Sequence, residues 1–145
     1  MRILKKTNSI LLNKSEKLNI KEDDVKMLAG VLLKAWESNG KQRGISLPQV
    51  GVNRCMILCR INGEAVVMVN PKITFKFGVQ ISNEGCLSVE GRYYVWRPRL
   101  GCVKYYDLEG KVCRRYCNRD LIRTVCHECD HLRGICIDDR GWRVR

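Results

Sequence analysis

The chain has 145 residues, enough for one compact domain with its own hydrophobic core and too few for a second. Its formal charge of +12, from 27 Lys and Arg against 15 Asp and Glu, suits anionic surroundings such as ribosomal RNA, other nucleic acid or an acidic membrane surface. No apolar run approaches the roughly 18 residues needed to cross a bilayer; the longest lies near Ala65 to Val69, so a soluble protein without a membrane partner is expected. Nine cysteines would suit a secreted disulfide scaffold, but the count is odd and polar residues break the apolar segment a signal peptide needs, so free thiols in the reducing cytoplasm are expected.

In chain order, residues 1–20 mix basic, polar and aliphatic positions without a sustained period and read as an irregular arm or short turns. From Asp23 to about Asn39, Val25, Leu28, Val31, Leu32, Ala35 and Trp36 recur at helical spacing ahead of Gly40, which predicts a first helix. Two β-rich runs between Cys55 and Val69, separated by Asn62-Gly63, predict a tight hairpin. Further strands are expected at Lys72 to Phe77, Tyr93 to Val95, Gly101 to Tyr106 and Lys111 to Tyr116. A second helix, from about Arg119 to Arg133 and closed by Gly134, follows from the apolar set Leu121, Ile122, Val125, Cys129 and Leu132. The fold class is α+β: one domain over residues 1–145, with an N-terminal helix and short, mostly antiparallel strands packed around a central metal-binding helix.

Chemistry concentrates in His127-Glu128-Cys129-Asp130-His131, the H-E-x-x-H form. On a helix, residues four apart differ by about 40°, so both imidazoles can grip one metal. Glu128 lies about 100° from His127, within reach of a metal-bound water without having to ligate the ion. Two imidazoles leave a catalytic site one protein ligand short. No histidine follows His131, and Asp138 and Asp139 are the only later carboxylates, which fits a zincin protease poorly. A thiolate would serve, and Cys86 has an unusual setting in Glu84-Gly85-Cys86-Leu87-Ser88.

At these residues the chain resembles the peptide deformylase family, in a short form that lacks the longer C-terminal tail of typical bacterial members. The E-G-C-L-S motif is matched in full at Glu84 to Ser88, and H-E-x-D-H-L-x-G in full at His127 to Gly134. The G-x-G-L-A-A-x-Q-V-G motif is kept in part at Gln42 to Gly51, with Gly44 and Gln49 in place but Gln42 and Ser46-Leu47 departing from it. The resemblance implies that Cys86, His127 and His131 bind one divalent metal with water in the fourth position. Fe(II) is the family's usual ion, and Zn(II), Ni(II) or Co(II) would fit the same donors. The implied reaction removes the N-formyl group from the initiating methionine of nascent peptides. Glu128 would carry the proton, and the Gln49 amide and Leu87 backbone N–H would stabilise the oxyanion.

The resemblance also assigns Gly44 to substrate and suggests a positioning role for Glu84 and Arg92. An apolar slot for methionine is expected from Ile45, Leu87 and Val125, with Arg43 and Arg123 as polar neighbours. Asp130 is expected to orient a ligand or to pair with Arg99. Ribosome association would have to use the basic surface, including Arg114, Arg115 and Arg119. The competing reading is a structural zinc or nucleic-acid-binding module built on Cys113, Cys117, Cys126 and Cys129.

Overall fold

A computed structural model describes residues 2–145. The first helix, α1, spans Val25–Ser38, and the Asp24 side chain caps it by accepting from the Met27 backbone N–H at 3.0 Å. Ahead of it runs the expected arm, with one 3-10 turn at Ser9–Leu12 and with Ile3, Leu11 and Leu18 buried. Eight strands follow in the order β1 (Gly44–Ser46), β2 (Met56–Ile61), β3 (Glu64–Phe77), β4 (Gln80–Cys86), β5 (Val89–Arg97), β6 (Leu100–Tyr106), β7 (Val112–Cys117) and β8 (Trp142–Arg143). Helix α2 (Arg119–Leu132) lies between β7 and a single turn, α3 (Ile137–Arg140).

All named strand pairs are antiparallel and form two sheets, β1-β2-β3-β6-β7 and β4-β5-β8. Alternation along β2 shows where the core sits. Met56 and Leu58 face α1 in one apolar cluster, while Ile57 and Cys59 face α2 in the other. The five-stranded sheet is therefore covered on both faces, and α2 buries Ile122, Val125, Cys126 and Leu132 against it. All nine cysteines are free thiols. No helix among the described residues is long and apolar enough to cross a membrane.

The β2–β3 hairpin turns at Asn62 and Gly63, with φ of 52° and 81°, the left-handed pair expected of Asn-Gly. The segment from Lys72 to Phe77 is not a separate strand: β3 continues into it through an irregularity between Val69 and Lys72. Asn70 has φ of 48° there and Pro71 has no N–H to give the ladder, so the break in hydrogen bonding is absorbed by a bulge. Strand β4 has no counterpart in the sequence reading, because its polar, glycine-containing run Gln80–Cys86 shows no apolar alternation.

Candidate metal centre

Each candidate ligand is delivered by a different feature of the fold. Cys86 ends β4, just past a register shift at Gly85, and the two-residue turn Leu87-Ser88 leads into β5. His127 and His131 stand one turn apart on α2, which begins at an Asn118 cap accepting from the Leu121 N–H at 2.9 Å. Because the opposite face of α2 is anchored in the core, these imidazoles turn toward β4. The Cys86 Sγ lies 3.3 Å from His131 Nε2, and the ligating atoms of Cys86, His127 and His131 fall within 4.8 Å of one another. One thiol and two imidazoles at that spacing match a divalent-metal donor set with room for a further ligand.

The charges around the trio also favour a cation. Burial works against a protonated His127, yet hydrogen bonds to Cys86 and Glu84 outweigh it and lift its pKa well above 6.5. A positive charge between that thiol and that carboxylate is thus stabilised, whether a proton or a metal ion carries it. Burial, reinforced by His127, pushes His131 down to about 3, which keeps it neutral and ready to ligate.

Behind the trio lies a buried ionic network. Glu84 accepts at 2.8 Å from His127 Nδ1, which fixes the tautomer and leaves Nε2 facing the centre. Arg97, 4% exposed, donates to both Glu84 oxygens at 2.9 and 2.8 Å and to Asp130 at 2.7 Å. Asp130 takes further bonds from Arg133 and Arg140. Burial alone would raise both carboxyls, but these arginines, with His127 on Glu84, hold them below the usual range. Both Glu84 oxygens are engaged, Oε1 by Arg97 and His127 and Oε2 by Arg97, which fixes the carboxylate beside His127 in the cavity wall. Asp130 pairs with Arg97 and not with Arg99, because β5 ends at Arg97 and Pro98 redirects the chain.

Glu128 is 4% exposed, and burial raises its carboxyl to about 7. Its Oε2 is buried without a hydrogen-bond partner. Gly44 makes room for it: a Cβ there would lie 2.8 Å from Glu128 Cγ and Oε1 and 2.9 Å from Thr124 Cγ2. Gln49 sits in the 3-10 turn Leu47–Val50, where its Oε1 accepts from the Ser46 N–H at 3.0 Å. A backbone donor must meet the oxygen, so the amide NH₂ is aimed outward, at Ser88 Oγ (3.1 Å) and Cys86 Sγ (3.8 Å).

A cavity of about 670 Å³ opens over these groups, with Gly44, Gln49, Leu87, Thr124, His127 and Glu128 in its wall. Two residues expected in the methionine slot lie elsewhere. Ile45 is 1% exposed in the α1 core and Val125 is fully buried in the α2 core, since strand and helix periodicity give the cavity face to Gly44 and Thr124. The four thiols of the alternative zinc module do not converge. Cys113 and Cys117 stand four residues apart on β7, about 13 Å by strand geometry, and none of the four joins a metal-compatible group among the described residues. A second such group, Cys136, Asp138 and Asp139, has Lys6 Nζ already against its carboxylates at 2.8 and 2.6 Å. Sequence reasoning missed Arg97 altogether, because nothing local distinguishes it from the other basic residues.

Known proteins resemble this chain in sequence and in fold. The profile of the polypeptide deformylase family matches residues 1–143. A peptide deformylase of Thermoanaerobacter pseudethanolicus is 38% identical over 102 residues, covering 69% of this chain and 64% of that protein. The chain thus spans less than two thirds of that relative's length. The crystal structure of a Synechococcus elongatus peptide deformylase in complex with actinonin superposes with a TM-score of 0.90 at 28% identity, covering 98% of this chain and 80% of that one. The Acinetobacter baumannii class I type b enzyme bound to Met-Ala-Ser superposes at 0.87 with 31% identity, covering 97% of both chains. The chain belongs to the peptide deformylase family.

Proposed function

We propose that the chain, acting as one catalytic domain, is a hydrolase that removes the N-formyl group from the N-terminal methionine of nascent polypeptides and releases formate. The observation that carries this reading is the buried Glu128 carboxyl, with Oε2 unpartnered, beside the Cys86–His127–His131 trio in the cavity wall. The Met-Ala-Ser peptide bound to the Acinetobacter relative supports the same substrate class. Cys86, His127 and His131 hold one divalent ion, Fe(II) first among those that fit, and when bound it lowers the pKa of water and polarises a carbonyl.

The remaining roles fall to the chain's own groups. Glu128 accepts the proton of the attacking water on Oε2 and passes it to the departing amide nitrogen, so the formyl C–N bond breaks to formate and a free amine. A pKa near neutrality suits both transfers. The Gln49 NH₂ and the Leu87 N–H donate to the formyl oxygen as charge develops on it. Glu84, held by Arg97, keeps His127 in the ligating tautomer, and Gly44 gives Glu128 its space.

Nine free thiols and the +12 charge support work in the reducing cytoplasm at the ribosome; salt-sensitive co-sedimentation with ribosomes is the expected signature. The activity is tested by formate release from formyl-Met-Ala-Ser, using anaerobic Fe(II)-loaded protein beside Glu128→Ala and Cys86→Ser. The parent should turn over and both variants should not, with metal retained by Glu128→Ala alone. A folded, metal-loaded parent that releases no formate overturns the assignment.

A further inference from the structure

An apolar methionine side chain calls for apolar walls, yet the cavity over the metal centre is ringed by guanidinium groups. Arg43, Arg92 and Arg123 all line it, and each is tied to the reacting centre by a short structural path. Arg123 lies four residues before His127 on α2, so the two side chains are neighbours on one helix face. Arg43 precedes Gly44, the residue packed on Glu128. Arg92 lies over Gly85, next to Cys86, where a Cβ on Gly85 would come 2.8 Å from its Nη1.

These charges are poorly balanced. Arg123 has one acidic partner, Asp120 at 3.3 Å, whose side chain is 76% exposed, and its Nε is buried with no hydrogen-bond partner. Arg92 is held by Asn83, through Nε to the side-chain oxygen at 2.8 Å and Nη2 to the carbonyl at 3.0 Å, an anchoring that orients the guanidinium without neutralising it. Neither Arg43 nor Arg92 forms an ion pair among the described residues. Two carboxylates share the wall, but Glu84 is paired with Arg97 and His127, and Glu128 is buried beside the metal trio and forms no ion pair with these arginines among the described residues. The hydrophobic side chains left in the wall are Leu87 and Val89.

We infer that this cavity selects acidic substrates: N-formyl peptides that carry a carboxylate within the first two residues, bound by Arg123 and Arg43 with Arg92 completing the ring. The inference rests on the deformylase reading for its chemistry, but the binding preference belongs to the arginines alone. A carboxylate reaching the exposed part of the Arg123 guanidinium would form a charge-assisted hydrogen bond, while a lysyl side chain in the same place would meet like charge.

The test compares formyl-Met-Ala-Ser, formyl-Met-Asp-Ser, formyl-Glu-Ala-Ser and formyl-Met-Lys-Ser, both as substrates of the metal-loaded enzyme and as equilibrium ligands of Zn(II)-loaded Glu128→Gln. At least one acidic peptide should bind about tenfold more tightly than the lysyl peptide, the scale of one such hydrogen bond at a half-exposed site. The preference should appear in KM rather than kcat and should shrink as salt rises. Arg123→Met and Arg43→Met should each reduce it, and Arg123→Lys should restore part of it. Equal binding of all four peptides, or a preference that survives both Met variants, overturns the inference. If no peptide releases formate while the acidic preference persists in binding, the deformylase reading fails and the assignment of the cavity stands.

Discussion

Replacing Gly44 by Ala puts a single methyl group against the Glu128 carboxylate, the proposed base. The added Cβ would lie 2.8 Å from Glu128 Cγ and Oε1 and 2.9 Å from Thr124 Cγ2, about 1 Å inside ordinary carbon contact. Neither neighbour can retreat easily, because Glu128 is buried on a helix whose far face is fixed in the core, and β1 is held in register by Gly44 opposite Cys59. Overpacking of this kind costs about 1–3 kcal/mol, which for a domain this size lowers Tm by on the order of 5 °C. Activity should suffer more than stability, since a catalytic group displaced by about 1 Å can lose on the order of 100-fold in rate. Formate release, a thermal melt and metal content measured on the same preparation separate the effects: kcat should fall by about 100-fold, with metal retained. A Gly44→Ala enzyme with kcat within about twofold of the parent would show that Glu128 has freedom the packing denies it, and its role as the positioned base would have to be abandoned.

Two further expectations concern the network behind the ligands. Arg97→Met leaves the buried Glu84 and Asp130 short of a partner, although Arg133 and Arg140 still serve Asp130; the loss should therefore sit at the low end of the range for a broken buried pair, about 3 kcal/mol. Chemical denaturation checks this, and a metal titration should show affinity down by about 10–100-fold as His127 loses its fixed partner; an unchanged midpoint and affinity would leave Arg97 without the role given to it. Asp130 predicts the acid limb of stability. Its pKa in the folded protein is held below the ordinary 3.8, so its contribution is complete above that pH and is lost as pH falls through the depressed value. Urea midpoints between pH 7 and 3 should drop steeply below about pH 4 in the parent and less steeply in Asp130→Asn, and parallel curves would point to another carboxylate.

What could be read from the chain was what repeats or clusters over a few residues. The apolar spacing of Val25 to Trp36 and Leu121 to Leu132 located both long helices within about two residues of their ends, and Asn62-Gly63 marked the hairpin. The two histidines and Glu128 were legible because one helical turn brings them together whatever the rest of the fold does. Cys86 was recognised through its motif neighbours, and only folding shows its sulfur 3.3 Å from His131.

The tertiary structure decided everything that depends on which face of an element meets which neighbour. Ile45 and Val125 carry the apolar character of a substrate slot, but the sheet and α2 turn them into the core and leave Gly44, Thr124 and the arginines at the cavity. Strand β4 has no apolar alternation of its own and exists because β5 pairs along its length. Arg97 gains its importance by being carried, 4% exposed, between Glu84 and Asp130, residues 13 and 33 positions away in sequence. Sequence alone thus determined the two long helices and the grouping of His127, Glu128 and His131 on one of them, since those follow from local geometry. The pairing of buried charges and the character of the cavity wall were set by long-range packing, where one strand's register fixes the surroundings of another.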